Sequence, residues 1–309
     1  MQKEFIEIVK QFILTMSKFL EKLEVRTADD FKEADHPRDK DGKFAKTSGA
    51  SGTKGNKGNA EKSQTQKTKV KTLKQADFPE NNIKQTAHEE LNEQQQAAKQ
   101  RIYNRIEDWG ITDEVLEPAV MDKIPTTQEI ISKISGGDET DGSCSSAALT
   151  YIANKLGYDC RDFKGGEVTD FFARDNNIQA ITKMYNGTII EGFRRNETST
   201  CMDIFKQMEV GKEYYFFTGY HAAIVYKKSE RETYYLEMQN PEAEENTFKL
   251  LKKQQLKERF ECEVVLVGKS KSGYVPLENF AKYGNFKDLA KYFNTAEDKQ
   301  QKGADGYEK

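Results

Sequence analysis

The sequence predicts an α+β domain, and three observations carry the prediction. A helical pattern with a small-residue start, Gly142–Gly157, opens the informative half of the chain. Four short runs rich in Tyr, Phe, Val and Ile follow it, at Glu213–Thr218, His221–Lys227, Thr233–Met238 and Cys262–Gly268, and read as strands. A helix first and an antiparallel meander later in one unit argue α+β and not alternating βαβ units. Third, hydrophobic residues make up 36% and charged residues 32% of the 309, against about 25% charged in ordinary domains, so part of the chain is expected outside any packed core.

Taken in order, residues 1–28 are expected to form an amphipathic docking helix. Over 1–25, Phe5, Ile8, Val9, Phe12, Met16, Phe19 and Leu23 recur at three- and four-residue spacing with Lys and Glu between them. Such a stripe is buried either on the rest of the chain or on a partner. Residues 29–77 read as a basic flexible linker, since Lys46 to Gln75 is built of Lys, Gly, Ser, Thr, Asn and Gln with almost no large apolar side chain. A helical region is expected over 78–135. In it, 86–110 is one helix with Gly110 as its stop, and 111–134 holds two short helices broken at Pro118 and Pro125. The main domain spans 136–268 and adds helices at Val168–Asn176 and Ser199–Gln207. Tyr274, Leu277, Phe280, Tyr283, Phe286, Leu289 and Phe293 predict one or two helices packed on it over 269–296, before a disordered polar tail at 297–309.

Composition narrows the function classes. No stretch approaches the ~18–20 apolar residues of a spanning helix, and no signal-peptide cleavage pattern follows Met1, so a soluble intracellular chain without a membrane span is expected. Cys144, Cys160, Cys201 and Cys262 form no CxxC pair, and only three histidines accompany them; neither a disulfide framework nor a metal site is expected, and no cofactor. The net charge of -3 hides an asymmetry. From Pro37 to Lys74, eleven Lys/Arg stand against three Asp/Glu, a net of +8 that leaves -11 for the remainder. A basic arm on acidic globular material cannot be a uniform nucleic-acid-binding surface. Its lysines lack interleaved aromatics, so any nucleic-acid contact by this linker is expected to be weak, nonspecific and salt-dependent.

The residues that carry chemistry begin with Cys144, in the first turn of the predicted helix. A thiol there faces orphan backbone N–H groups and the positive end of the helix dipole, which favour thiolate. A buried structural cysteine at a helix start is the competing reading. His221 opens a strand, Gly219-Tyr-His-Ala-Ala-Ile-Val-Tyr226, in which small residues follow the ring. Its imidazole can take a thiol proton and return it to a leaving group. On the next strand, Glu237 and Gln239 share one face by the two-residue period and could hold the second ring nitrogen; Asn240 stays open as an alternative.

Cysteine on a helix start, histidine opening a strand and a polar orienter on the adjacent strand is the papain-like order. The stretches DGSCSSAALTYIANKLGYDCRDFKGG (Asp141–Gly166), GYHAAIVYKK and YYLEMQNP resemble the papain-fold toxin domains of bacterial polymorphic toxins and phage-encoded proteins. The resemblance covers roughly residues 130–268. It implies a papain-like fold with Cys144 as nucleophile, His221 as base, Glu237 as acidic orienter and Gln239 as the accompanying glutamine. This chain departs from it in having Glu where Asp is usual, and Asp138, Glu139 and Asp141 near where papain has an oxyanion glutamine. A shorter string, His36-Pro-Arg-Asp-Lys-Asp-Gly-Lys-Phe-Ala45, resembles one in proteins of phage head-gene neighbourhoods.

Together these imply a cysteine hydrolase of a protein substrate, a protease or deamidase acting on an amide, isopeptide or thioester bond, encoded by a phage or mobile element as an effector or toxin. It would work in the host cytoplasm or be packaged in a virion, with residues 1–25 bound to a phage capsid or host protein. The alternative is a virion structural or cargo protein whose papain-like domain is catalytically idle.

Overall fold

A computed structural model describes residues 70–81, 83, 88–111, 115–134, 143–161, 167–193, 196–240, 243–262 and 269–296. Every described residue belongs to one compact unit, which lies within residues 67–309. The expected helix over 1–25, the tract 46–69, the expected strand over 263–268, the acidic residues Asp138, Glu139 and Asp141, and the tail from 297 lie outside the described residues.

The fold is α+β. Helix α1 (Glu93–Asp108) starts later than the expected 86–110 because Asn92 caps it. Asn92 Oδ1 accepts from the Gln95 N–H and Gln95 Oε1 accepts from the Asn92 N–H, both at 3.0 Å. Among the described residues between 111 and 134 a single helix stands where two were expected. Pro118 precedes a short strand, β1 (Ala119–Val120), and only the segment after Pro125 is helical, α2 (Thr127–Ile134). A proline fits a helix start, and Pro125 stands just before α2, whereas Pro118 leads into a strand. Helix α3 (Cys144–Lys155) is buried along nearly its whole length and ends at Gly157, whose φ of 85° is a glycine conformation. Strand β2 (Tyr158–Asp159) returns to pair with β1. The expected Val168–Asn176 helix corresponds to α4 (Glu167–Ala173), which stops at the extended Arg174, and a further helix that was not expected, α5 (Asp175–Met184), begins at Asp175.

After β3 (Thr188–Phe193) and α6 (Glu197–Gln207) come β4 (Glu213–Thr218), β5 (His221–Lys227) and β6 (Thr233–Leu236), then β7 (Phe248–Leu250), α7 (Lys253–Glu258), β8 (Lys269–Pro276), α8 (Leu277–Lys282) and α9 (Phe286–Phe293). Six of the strands form an antiparallel sheet in the order β3-β8-β4-β5-β6-β7. Both of its faces are covered, which is why β4 is buried at every position and lacks polar alternation. Tyr215, Phe217, Ala222 and Ile224 join a core with α1, α3, α5 and α9. Tyr214, Phe216, Ala223 and Val225 face the other way, onto Cys201, Ile204 and Phe205 of α6, Leu256 of α7, and Phe260.

Two expected boundaries move. The linker was expected to run to 77, yet Leu73 is buried, its N–H donates to Phe248 O at 2.8 Å, and Thr72 bridges Lys249. This segment covers the exposed edge of β7, so its backbone finds partners despite its polar composition. The domain was also expected to close at 268, with only helices after it. Instead β8 lies between β3 and β4, and the sheet is incomplete without 269–276. Among the described residues, no helix is long and apolar enough to cross a membrane.

Candidate active site

Cys144 is the first residue of α3 and is half-buried, whereas Cys160, Cys201 and Cys262 are buried. The preceding Ser143 has helical backbone angles and makes no side-chain cap bond, so the first-turn N–H groups keep their pull on a thiolate. Two contacts fix this turn. Ser145 Oγ and the Tyr215 hydroxyl of β4 lie 2.7 Å apart, and Ser143 Oγ accepts from Gln239 Nε2 at 2.6 Å. Behind them α3 packs on β5, the strand that begins at His221.

His221 is placed by the two-residue turn Gly219-Tyr220, which closes the β4–β5 hairpin at the pair Thr218 and His221. Gly219 has φ 53°, and a Cβ built on it would lie 2.1 Å from the Phe260 carbonyl oxygen. Only glycine fits that approach. The same carbonyl accepts from the Tyr220 N–H at 3.1 Å, and the Phe260 ring meets the His221 ring edge-on with centroids 4.8 Å apart. The imidazole is thus buried and held from below by a residue remote in sequence.

Glu237 and Gln239 follow β6 directly. Arg259 Nε donates to Glu237 Oε2 at 2.6 Å, and Arg259 Nη2 donates to Glu237 Oε1 at 2.9 Å and to Gln239 Oε1 at 2.8 Å. Glu237 Oε1 also faces the N–H groups of Met238 and Gln239, both at 3.2 Å. Burial alone would push this carboxyl up. The Arg259 guanidinium outweighs it and, with the His221 charge and the Gln239 N–H, holds Glu237 at about 2. The carboxylate is therefore ionised, and the His221 charge is one of the groups that keep it so. Burial works against the charge on Arg259, while Glu237 first and then Tyr235 and Cys144 strengthen its hold on the proton. Asn240 uses its backbone N–H and carbonyl on the Asn246 side chain, each at 2.8 Å.

The four residues singled out from sequence sit on the N-terminus of α3, the start of β5 and the segment after β6, with Gln239 bonded to Ser143 and Glu237 in electrostatic contact with His221. Arg259 and Phe260 were missed. For Arg259 the available signal was Glu237 itself, since a buried carboxylate demands a cation, and Lys252, Lys253, Lys257 and Arg259 stand in or beside α7. The two buried thiols of the opposite core serve packing: Cys201 Sγ lies 3.2 Å and Cys262 Sγ 3.6 Å from Thr218 Oγ1. The Cys262 thiol is pushed well up by its hydrogen bond with the free Cys201 thiol and by burial. A shallow depression lined by Glu90, Leu91, Gln96, Lys99, Gln100 and Tyr103 contains none of these residues and no thiol. Among the described residues, no cluster of three His, Cys, Asp or Glu could hold a metal ion. Comparison with family models, with curated proteins and with solved structures finds no match to this chain.

Proposed function

We propose that the chain is a papain-like cysteine hydrolase acting on an amide, isopeptide or thioester carbonyl of a protein substrate. One observation carries the reading: the only half-buried thiol of the four cysteines starts a helix that packs on the strand opened by His221. In this reading His221 takes the Cys144 proton, and the sulfur forms a bond to the carbonyl carbon while the carbonyl π pair moves onto oxygen. Backbone N–H groups of the first turn of α3 face the oxyanion. The tetrahedral adduct collapses, the leaving amine or thiol takes the proton from His221, and an acyl thioester remains on Cys144. Water then attacks, losing its proton to His221, and the thiolate leaves. Glu237, ionised and buried beside His221, favours the imidazolium that appears in both halves.

The test is acylation by an activated ester. With p-nitrophenyl acetate the full chain should release a burst of one nitrophenolate per chain and carry one acetyl group on the Cys144 peptide. Cys144→Ser should abolish the acetyl thioester, and His221→Ala should slow the burst by about 10²-fold or more. An acetyl group found on another cysteine, or no burst, would defeat the reading.

A further inference from the structure

Arg259 holds two partners with three hydrogen bonds from one side chain. It engages both oxygens of Glu237, and its Nη2 also reaches Gln239 Oε1, whose own Nε2 bonds Ser143 Oγ. The path Glu237, Arg259, Gln239, Ser143 therefore joins the segment after β6 to the residue next to Cys144. All of its hydrogen bonds are 2.6–2.9 Å long, and those made by the guanidinium are charge-assisted. Its neighbour Phe260 holds the other half of the site, through the carbonyl that takes the Tyr220 N–H and the ring that packs on His221.

We propose that Arg259 is the positioning residue of this site: its guanidinium orients Glu237 and Gln239 together, and through Gln239 sets the first turn of the Cys144 helix against the His221 strand. This rests on the hydrolase reading and adds to it a residue 22 positions beyond Glu237. A bidentate fork is required, because one group must serve a carboxylate and an amide oxygen at fixed angles, which an ammonium cannot do in the same geometry. The Cys144 thiolate also strengthens the proton hold of Arg259, after Glu237 and Tyr235, so by reciprocity the guanidinium favours thiolate. The Glu237 carboxylate compensates most of its charge, so Arg259 is read as orienting the pair and not as a docking point for an anionic substrate.

The experiment is the rate of iodoacetamide modification of Cys144 against pH, read on its own peptide, for the full-length wild type, Arg259→Met, Arg259→Lys and Gln239→Ala. Thermal midpoints are measured alongside. The wild-type rate should rise well below the ~8.5 of a free cysteine. In Arg259→Met the rise should move up by about one pH unit, a loss of about tenfold in rate at pH 7. Arg259→Lys should recover the thermal midpoint more than the profile, because it keeps the charge and loses the fork. Gln239→Ala, which leaves the Arg259–Glu237 pair intact, should shift the profile in the same direction. If Arg259→Met fails to fold, Gln239→Ala decides, and an unmoved profile overturns the proposal. A wild type with a depressed thiol and variants that titrate like it would overturn the positioning role alone. A wild type that titrates like free cysteine would overturn the hydrolase reading, and this proposal with it.

Discussion

Lys155 Nζ lies 2.9 Å from Glu213 Oε2 with the two side chains 0% and 7% exposed, an ion pair sealed between the last turn of the Cys144 helix and the first residue of β4. Each partner is satisfied further. Lys155 also donates to Thr127 Oγ1 at 2.8 Å, and Glu213 Oε1 accepts from the Tyr151 hydroxyl at 2.6 Å. Removing one partner strands a charge in the core, so Lys155→Met should cost roughly 3–5 kcal/mol in urea unfolding. The double variant Lys155→Met, Glu213→Leu should recover part of that loss. A single variant within ~1 kcal/mol of wild type would show that the pair does not hold α3 to the sheet.

The pair Arg259–Glu237 makes stability depend on pH with a fixed sign. Glu237 is held at about 2 in the folded chain, below its unfolded carboxylate value. A depressed carboxylate adds stability above the unfolded value, and the contribution disappears as the pH falls through the folded one. The stability gap between wild type and Glu237→Gln should therefore be full at pH 6, on the order of 2–3 kcal/mol, and shrink steadily between pH 4 and pH 2. A gap that stays constant over that range would place the stabilising charge elsewhere.

Gly219→Ala should disturb His221 from a distance of two residues. Its φ of 53° and the 2.1 Å approach to the Phe260 oxygen leave no room for a methyl group. The left-handed conformation alone costs an L-residue about 1–2 kcal/mol, and moving the Phe260 backbone adds to it. The thermal midpoint should fall, and Cys144 alkylation at pH 7 should slow severalfold while the protein stays folded. An unchanged alkylation rate in a destabilised variant would uncouple the turn from the base.

Strands β4 and β5 were legible to the residue, because the aromatic run Tyr214–Phe217 and the apolar run Ala222–Tyr226 flank the Gly219 turn. Strand β8 was not. Its buried positions include Ser270 and Ser272, which pair with Gly192 O and Thr218 Oγ1, so the segment shows neither apolar alternation nor an apolar run. The expected helix ran from Val168 to Asn176 across the break at Arg174, which is one of backbone angle with no glycine or proline to announce it, and the rest of α5 was not foreseen. Cys144, His221, Glu237 and Gln239 could be singled out because their spacing relative to a helix start and two strands is a local property. Arg259 was signalled only as one of several cations after Glu237, and Phe260 not at all, since their roles arise only when the turn after α7 meets the β4–β5 hairpin.

Relative thiol reactivity in the native chain tests the Cys144–His221 pair most directly. Cys144 is half-buried at a helix start, and Cys160, Cys201 and Cys262 are buried. Exposure alone would favour Cys144, so the decisive readout is the ratio in wild type against His221→Ala, with iodoacetamide at pH 6.5 and each cysteine quantified on its peptide. The pairing predicts Cys144 modified at least 10²-fold faster than any other cysteine in the wild type and slowed about tenfold or more in His221→Ala, with thermal midpoints alike. Equal Cys144 rates in the two folded proteins would contradict it, leaving a half-buried thiol with no base.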